Sequence, residues 1–272
     1  MKILDNHVHT SFSSDAKDYM ETVIKIAIKK GLNYLTITDH IENHITGEWI
    51  DYNDYIPVFN HYKEKYKGEI ELLLGIEVGY ESDRHEGLEK IVKSYPFDFV
   101  ICSNHCIDGK KIHDRSYFEG KSKKEAYDRY FEYMRDCTKK FKEFNIYGHL
   151  DYIIRYGTYE NNEICFEDYK PIIDEILINI INNGSGIELN TSGYRYGLDS
   201  THPNIKFIKR YKELGGTIIT LGSDSHRAKD LCADFDKACE ILASCGFEHV
   251  CIFKNRKPKF IKIEEKDKSN IA

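Results

Sequence analysis

Twelve histidines are spread along this 272-residue chain, and several follow a pattern that could hold metal ions. His7 and His9 are two apart, and so are Asp224 and His226. On extended backbone, alternate side chains point to the same face, so each pair can present two donors together. Further donors stand singly or beside one acid: Asp39 with His40, then Glu77, His105, His149 and Asn190. Imidazole and carboxylate together suit Zn²⁺, Mn²⁺ or Fe²⁺. One His-x-His is weak evidence. Here each donor comes just after a separate short apolar run, which chance seldom arranges. His44, His61, His85, His113, His202 and His249 follow no such pattern and read as loop or core residues.

The apolar runs are the elements that must position these donors. Strand-like segments cover 2–5, 34–38, 71–76, 98–103, 145–148, 186–190, 217–222 and 248–253. Between them lie helical stripes with period 3.6, among them Met20, Val23, Ile24, Ala27 and Ile28, stopped by Gly31. A second stripe runs from Ala126 to Phe141, with Ser122 and Glu125 at capping-box spacing before it. A third runs from Ile172 to Ile180 and ends near Gly184. Strand–helix alternation of this kind predicts an α/β fold with a parallel sheet. The donors recur about every 36 residues, the length of one strand–helix unit. In a closed parallel barrel the carboxyl ends of all strands meet at one rim. With seven strands, the first lies beside the seventh and the pairs His7/His9 and Asp224/His226 face each other. The segment 248–253 is then an extra strand, and whether it completes the barrel is open. Asp15, taken alone, reads as the N-cap of a helix over 16–30. One domain over 1–272 is the simplest organisation, with a solvated tail from Glu264 to Lys268.

Composition removes several function classes. Net charge is −6 and no long basic run occurs, which argues against a protein built to grip nucleic acid. No apolar run approaches the ~20 residues that span a bilayer. The first residues enter a strand directly, leaving no room for a signal peptide, so a cytoplasmic protein is expected. The eight cysteines form no Cys-x-x-Cys pair and read as small buried hydrophobes. Glycine-rich nucleotide loops, His-Glu-x-x-His and Gly-x-Ser-x-Gly are all missing from the sequence.

Six motifs occur in order: Asp5-Asn-His7-Val-His9, Thr38-Asp39-His40, Gly75-Ile76-Glu77, Ser103-Asn104-His105, Gly148-His149-Leu150-Asp151 and Gly222-Ser223-Asp224-Ser225-His226. They resemble the motifs of the PHP (polymerase and histidinol phosphatase) family. Phe97–Ile101, His105-Cys-Ile-Asp108-Gly109 and Asn190-Thr-Ser192-Gly193 make the likeness closest to its bacterial histidinol-phosphate phosphatases. The resemblance implies a distorted TIM-like (β/α)7 barrel with its metal site at the C-terminal rim of the strands. It implies three divalent transition metals, Zn, Mn or Fe. One would be held by His7, His9, Glu77 and Asp224. A second would share Glu77 and add His105 and His149. A third would take Asp15, His40 and His226, where some relatives have His in place of Asp15. Glu77, Asp224 and His226 carry the reaction in this reading, and Asp39 and Asp151 orient the neighbouring histidines. A hydroxide bridging the first two metals would attack phosphorus, and a water or nearby acid would protonate the leaving alkoxide. Arg155, Arg195 and Arg115, in loops on the active rim, would bind the phosphate, because arginine's planar fork suits it. Asp114 is a candidate for a substrate amine. The expected substrate is a small phosphomonoester, L-histidinol phosphate, with neither nucleic acid nor membrane as partner. A nuclease of the same superfamily, a non-enzymatic metal-binding barrel and an amidohydrolase remain as alternatives.

Overall fold

The computed structural model describes residues 3–41 and 50–263; Lys2, His44 and the 264–268 tail lie outside the described residues. Seven parallel strands form the core sheet in sequence order: β1 (Ile3–Asp5), β2 (Leu32–Ile37), β3 (Glu71–Gly79), β4 (Phe99–Ser103), β5 (Ile146–Tyr147), β6 (Gly186–Asn190) and β7 (Ile219–Gly222). The strands are buried on both faces, which is why they read as short continuous apolar runs rather than alternating ones. β3 runs to Gly79, beyond the expected Ile76, because Val78 and Gly79 still pair with Cys102 and Ser103 of β4.

The sheet nearly closes. Residues just beyond β1 pair with the end of β7 and the residues after it: Asn6 N donates to Leu221 O at 3.1 Å, Ser225 N to His7 O at 3.3 Å and His9 N to Ser225 O at 2.9 Å. The expected neighbourhood of the first and seventh strands is therefore observed. A two-residue strand, His40–Ile41, pairs with Glu77–Val78, setting His40 opposite Glu77.

Helices α1 (Met20–Lys29), α2 (Tyr52–Lys65), α3 (His85–Ser94), α4 (Lys123–Lys140), α5 (Phe166–Asn182), α6 (Ile205–Glu213) and α7 (Phe235–Ser244) connect the strands. The capping box before α4 is present, with Ser122 and Glu125 bonding each other's backbone. α1 begins at Met20, not Ala16, and its N-cap is Tyr19. Asp15 is thus free of the capping role, and its carboxylate turns to the rim.

The segment after α7 does not become an eighth barrel strand. β8 (His249–Lys254) turns back through Asn255 and Arg256 and pairs antiparallel with β9 (Lys257–Lys262). The turn docks at the amino-terminal end of the barrel. Asn255 N and Arg256 N donate to Asp98 Oδ1 and Asp98 O, both at 2.9 Å, and Arg256 Nε donates to Asn145 Oδ1 at 2.6 Å. Cys251 and Phe253 complete a buried cluster with Phe99, Ile101 and Ile146. Burying Phe253 contributes about 1.5–3 kcal/mol. Among the described residues, no helix is long and apolar enough to cross a membrane.

Candidate metal centre

The carboxyl ends of the strands bring nine sequence-selected residues together around a cleft of about 320 Å³. Asp15, His40, Glu77, His105, His149, Asp224 and His226 line it, and His7 and His9 lie buried behind. Glu77 is at the centre. Its Oε2 lies 3.1 Å from His7 Nε2, 3.4 Å from His9 Nε2 and 3.0 Å from His40 Nδ1. Its Oε1 lies 3.0 Å from His149 Nε2 and 3.4 Å from His105 Nε2, and accepts from Ser103 Oγ at 2.6 Å. Asp224 Oδ1 is 3.5 Å from His9 Nε2, 3.7 Å from His7 Nε2 and 3.5 Å from His226 Nδ1. Asp15 Oδ2 is 3.0 Å from His226 Nε2 and 3.6 Å from His40 Nε2.

Hydrogen bonds on the far edges of the rings set their tautomers. His226 Nδ1 donates to the Asp224 carbonyl at 3.1 Å, which can only accept. Ser13 Oγ donates to Asp39 Oδ1 at 2.6 Å and so accepts from His9 Nδ1 at 3.1 Å. Both Nε2 atoms are left with lone pairs. His7 Nε2, His9 Nε2 and Glu77 Oε2 are buried and find no hydrogen-bond partner among the described residues. Such groups are costly unless a cation or a donor meets them. His105 Nε2 and His149 Nε2 approach to 3.4 Å. Among the described residues, four sets of three donor atoms each fall within 4.8 Å of one another: His7, His9 and Asp224; His7, Glu77 and His149; His40, Glu77 and His105; and His9, His40 and His226. This donor set, mixed imidazole and carboxylate, fits divalent metal ions.

The electrostatics agree. Burial alone would raise the Glu77 carboxyl, but the positive fields of His7, His105 and His40 outweigh it and hold it well below the usual range. Asp224 is likewise pulled down, against burial, by His7, His9, His226 and Arg155. His9 is pushed down to about 3 by burial and then by its neighbours His226 and His40. Burial also lowers His149. His7 goes the other way: the charges of Glu188, Glu77 and Asp224 overcome its burial and raise it.

The arginines separate. Arg155 lines the cleft, with its guanidinium carbon over the Tyr196 ring and its NH1 3.7 Å from Asp224 Oδ2. Arg195 lies behind the ligand loop; its NH2 donates to the carbonyls of Ser223 and Asp224. Arg115 is exposed with a left-handed backbone, and from its loop Lys111 and His113 line the cleft instead. Asp114 is exposed and accepts from Ser116 N at 2.9 Å.

The hydrogen bonds of Asp39 and Asp151 go to other partners than the imidazoles beside them in sequence. Asp39 accepts from Thr10 and Ser13, reaching His9 and His40 N through Ser13. Asp151 bonds His202 Nδ1 at 2.5 Å and Asn204 N at 2.8 Å. The sequence reading missed Glu188. This fully buried acid on β6 lies 2.7 Å from His7 Nδ1. Its signal was an acid inside an apolar strand, on the same face as Asn190 two residues later.

Residues 5–192 match the family model described as "PHP domain". The chain is 33% identical to a probable histidinol-phosphatase of Clostridium acetobutylicum, covering 95% of this chain and 99% of that protein. It is 31% identical to a histidinol-phosphatase of Lactococcus lactis, covering 94% and 96%. A solved structure of histidinol phosphate phosphatase from Lactococcus lactis, complexed with zinc, L-histidinol and phosphate, superposes with a TM-score of 0.88 at 30% identity, covering 95% of this chain and 99% of that one.

Proposed function

This chain belongs to the PHP domain family, and on that premise we propose that it is a metal-dependent phosphatase that hydrolyses L-histidinol phosphate to L-histidinol and phosphate. The reaction is a step of histidine biosynthesis, and we place it in the cytoplasm. One observation carries the reading: Glu77 joins His7, His9, His40, His105 and His149 at the floor of a rim cleft. The superposing Lactococcus lactis enzyme, which binds zinc, histidinol and phosphate, supports it.

We assign His7, His9, Glu77 and Asp224 to one divalent ion, Glu77, His105 and His149 to a second, and Asp15, His40 and His226 to a third, each Zn, Mn or Fe. When bound, such ions supply Lewis acidity that activates water and neutralises phosphoryl charge. The chain's own residues do the rest. Ser103 Oγ holds Glu77 Oε1, which fixes the carboxylate plane between the two groups of imidazoles. Arg195 clamps the Ser223 and Asp224 carbonyls and so holds Asp224 and His226 on the rim. Arg155, stacked on Tyr196 and beside Asp224, presents its fork to the phosphate. Arg115, pointing to solvent, has no part in this assignment.

The test is phosphate release from L-histidinol phosphate beside a panel of other phosphomonoesters and phosphodiesters, with Mn²⁺- or Zn²⁺-loaded protein. A kcat/KM for histidinol phosphate far above the panel is expected. Weak, flat activity would overturn the substrate, and activity unaffected by chelator would overturn the metal chemistry.

A further inference from the structure

We propose that Glu188 is a positioning residue, which makes His7 a metal ligand by accepting the proton of its far edge. The inference deepens the metal assignment above and rests on His7 being a ligand. Three N–H groups converge on this buried carboxylate. His7 Nδ1 lies 2.7 Å from Oε1; Asn190 Nδ2 and His149 N donate to Oε2 at 3.1 and 3.4 Å. The Asn190 amide cannot be turned round, because its Oδ1 already accepts from Ser192 N at 2.8 Å. Both carboxylate oxygens are therefore acceptors, so His7 keeps a proton on Nδ1, and Nε2, facing Glu77 and Asp224, is the nitrogen that gives up its proton when metal binds.

The barrel is shaped around this side chain. A Cβ on Gly222 would lie 2.2 Å from Glu188 Oε1 and 2.6 Å from His7 Cβ. Only glycine lets β7 pass this close to the carboxylate, two residues before Asp224. A Cβ on Gly148, just before His149, would meet Ser103 Oγ at 2.7 Å and Glu188 Oε2 at 3.7 Å. Glu188 thus ties β6 to the chain just beyond β1 and β5, where His7 and His149 lie, and packs against Gly222 at the end of β7, two residues before Asp224.

Glu188→Gln tests the tautomer directly. If its amide nitrogen faces His7, the ring must accept at Nδ1 and carry its proton on Nε2, which cannot then bind metal. If the nitrogen faces Asn190 instead, two donors collide. Adding Asn190→Asp supplies an acceptor for the amide and lets the Gln carbonyl face His7, giving up only the long 3.4 Å bond from His149 N. The readouts are the Zn²⁺ dissociation constant by chelator competition and the protonation of His7 Nδ1 by ¹⁵N NMR of the zinc-loaded protein. Outer carboxylates of this kind are worth roughly 10–100-fold in metal affinity. We expect that loss in Glu188→Gln, with His7 shifted from the Nδ1–H form, and recovery of both in Glu188→Gln/Asn190→Asp. Unchanged affinity in a folded Glu188→Gln, or loss with the Nδ1–H form retained, would overturn the inference. Should the variant not fold, a His7 Nδ1 without its proton in the unaltered zinc-loaded protein would overturn it equally. His7→Gln separates the two levels. If it leaves zinc affinity unchanged, the ligand assignment itself fails; if it loses zinc while Glu188→Gln does not, the failure belongs to Glu188 alone.

Discussion

Glu77→Gln is the sharpest perturbation of this centre, because it changes one charge and almost no volume. The five imidazole nitrogens nearest its two oxygens lie between 3.0 and 3.4 Å away. Glutamine keeps a carbonyl for one group of these nitrogens and places an NH₂ donor against the other. Removing one partner of a buried charged set typically costs about 3–5 kcal/mol, since the remaining charge is left without compensation. At 1.36 kcal/mol per factor of ten, the loss in metal affinity is roughly 10²–10⁴-fold. Metal content after equilibration against a graded chelator measures this loss, and phosphate release from L-histidinol phosphate measures activity on the same samples. Both should fall together, and added metal should restore activity only at concentrations raised by that factor. A variant that keeps its full metal content and its kcat/KM would refute the placing of Glu77 at the centre of the site.

Other consequences follow from the same geometry. Arg155→Ala should lower kcat/KM by about ten- to a hundredfold with metal content unchanged, as for the loss of a charge-assisted hydrogen bond. Arg195→Ala should instead weaken metal binding, because its guanidinium holds the Asp224 backbone; the two variants must differ in metal titrations for this contrast to stand. His9 is kept neutral in the fold, with its pKa lowered to about 3. Below the unfolded value of 6.5 the unfolded chain takes up a proton that the fold refuses. In metal-free protein its contribution is complete above 6.5 and is lost by about 1.4 kcal/mol per pH unit as pH falls towards 3. Denaturant unfolding at pH 7, 6 and 5 should show the native protein losing stability relative to His9→Gln, by about half that slope between pH 7 and 6 and nearly all of it between 6 and 5, and a constant difference would contradict it. Phe253→Ala, in the plug at the opposite end of the barrel, should cost about 3–5 kcal/mol of stability while leaving metal affinity alone.

Much of this architecture is legible in the sequence. β6 has the expected bounds, and most other strands differ by one or two residues at an end, because a strand buried on both faces is a short unbroken apolar run ended by a polar residue. The donors were found because a parallel barrel turns regular spacing in sequence into convergence in space. Three things were not legible. Asp15 had the type and position of a helix cap, and only the late start of α1 at Met20 frees it. The partners of Asp39 and Asp151 depend on loops returning from far along the chain, Ser13 in one case and His202 in the other. The antiparallel course of 249–262 is set by the turn at Asn255 and Arg256, whose positive φ angles of 48° and 64° no apolar pattern announces.

Along the inward faces of the strands, alternate residues change character from one end of the barrel to the other. β4 and its continuation read Phe99, Ile101, Ser103, His105; the first two join the apolar plug, the third bonds Glu77 and the fourth faces it. β5 starts at Ile146 in the plug and leads to Gly148, beside Ser103 and Glu188. On β6, Glu188 and Asn190 bond each other on the inward face below the rim. This gradient resolves a physical conflict. A site with many buried imidazoles and carboxylates destabilises a metal-free fold, since each charge loses its water. Concentrating those groups at the carboxyl ends leaves the amino ends free to bury hydrocarbon, and the hairpin supplies Cys251 and Phe253 to fill the opening that seven short strands leave. Stability and chemistry are therefore placed at opposite ends of one column of side chains. Substitutions at the plug should move the unfolding transition without moving metal affinity, whereas substitutions at Glu77 should lower metal affinity. If Phe253→Ala lowered zinc affinity as much as it lowered stability, the two ends would be coupled through the strands and this division would be wrong.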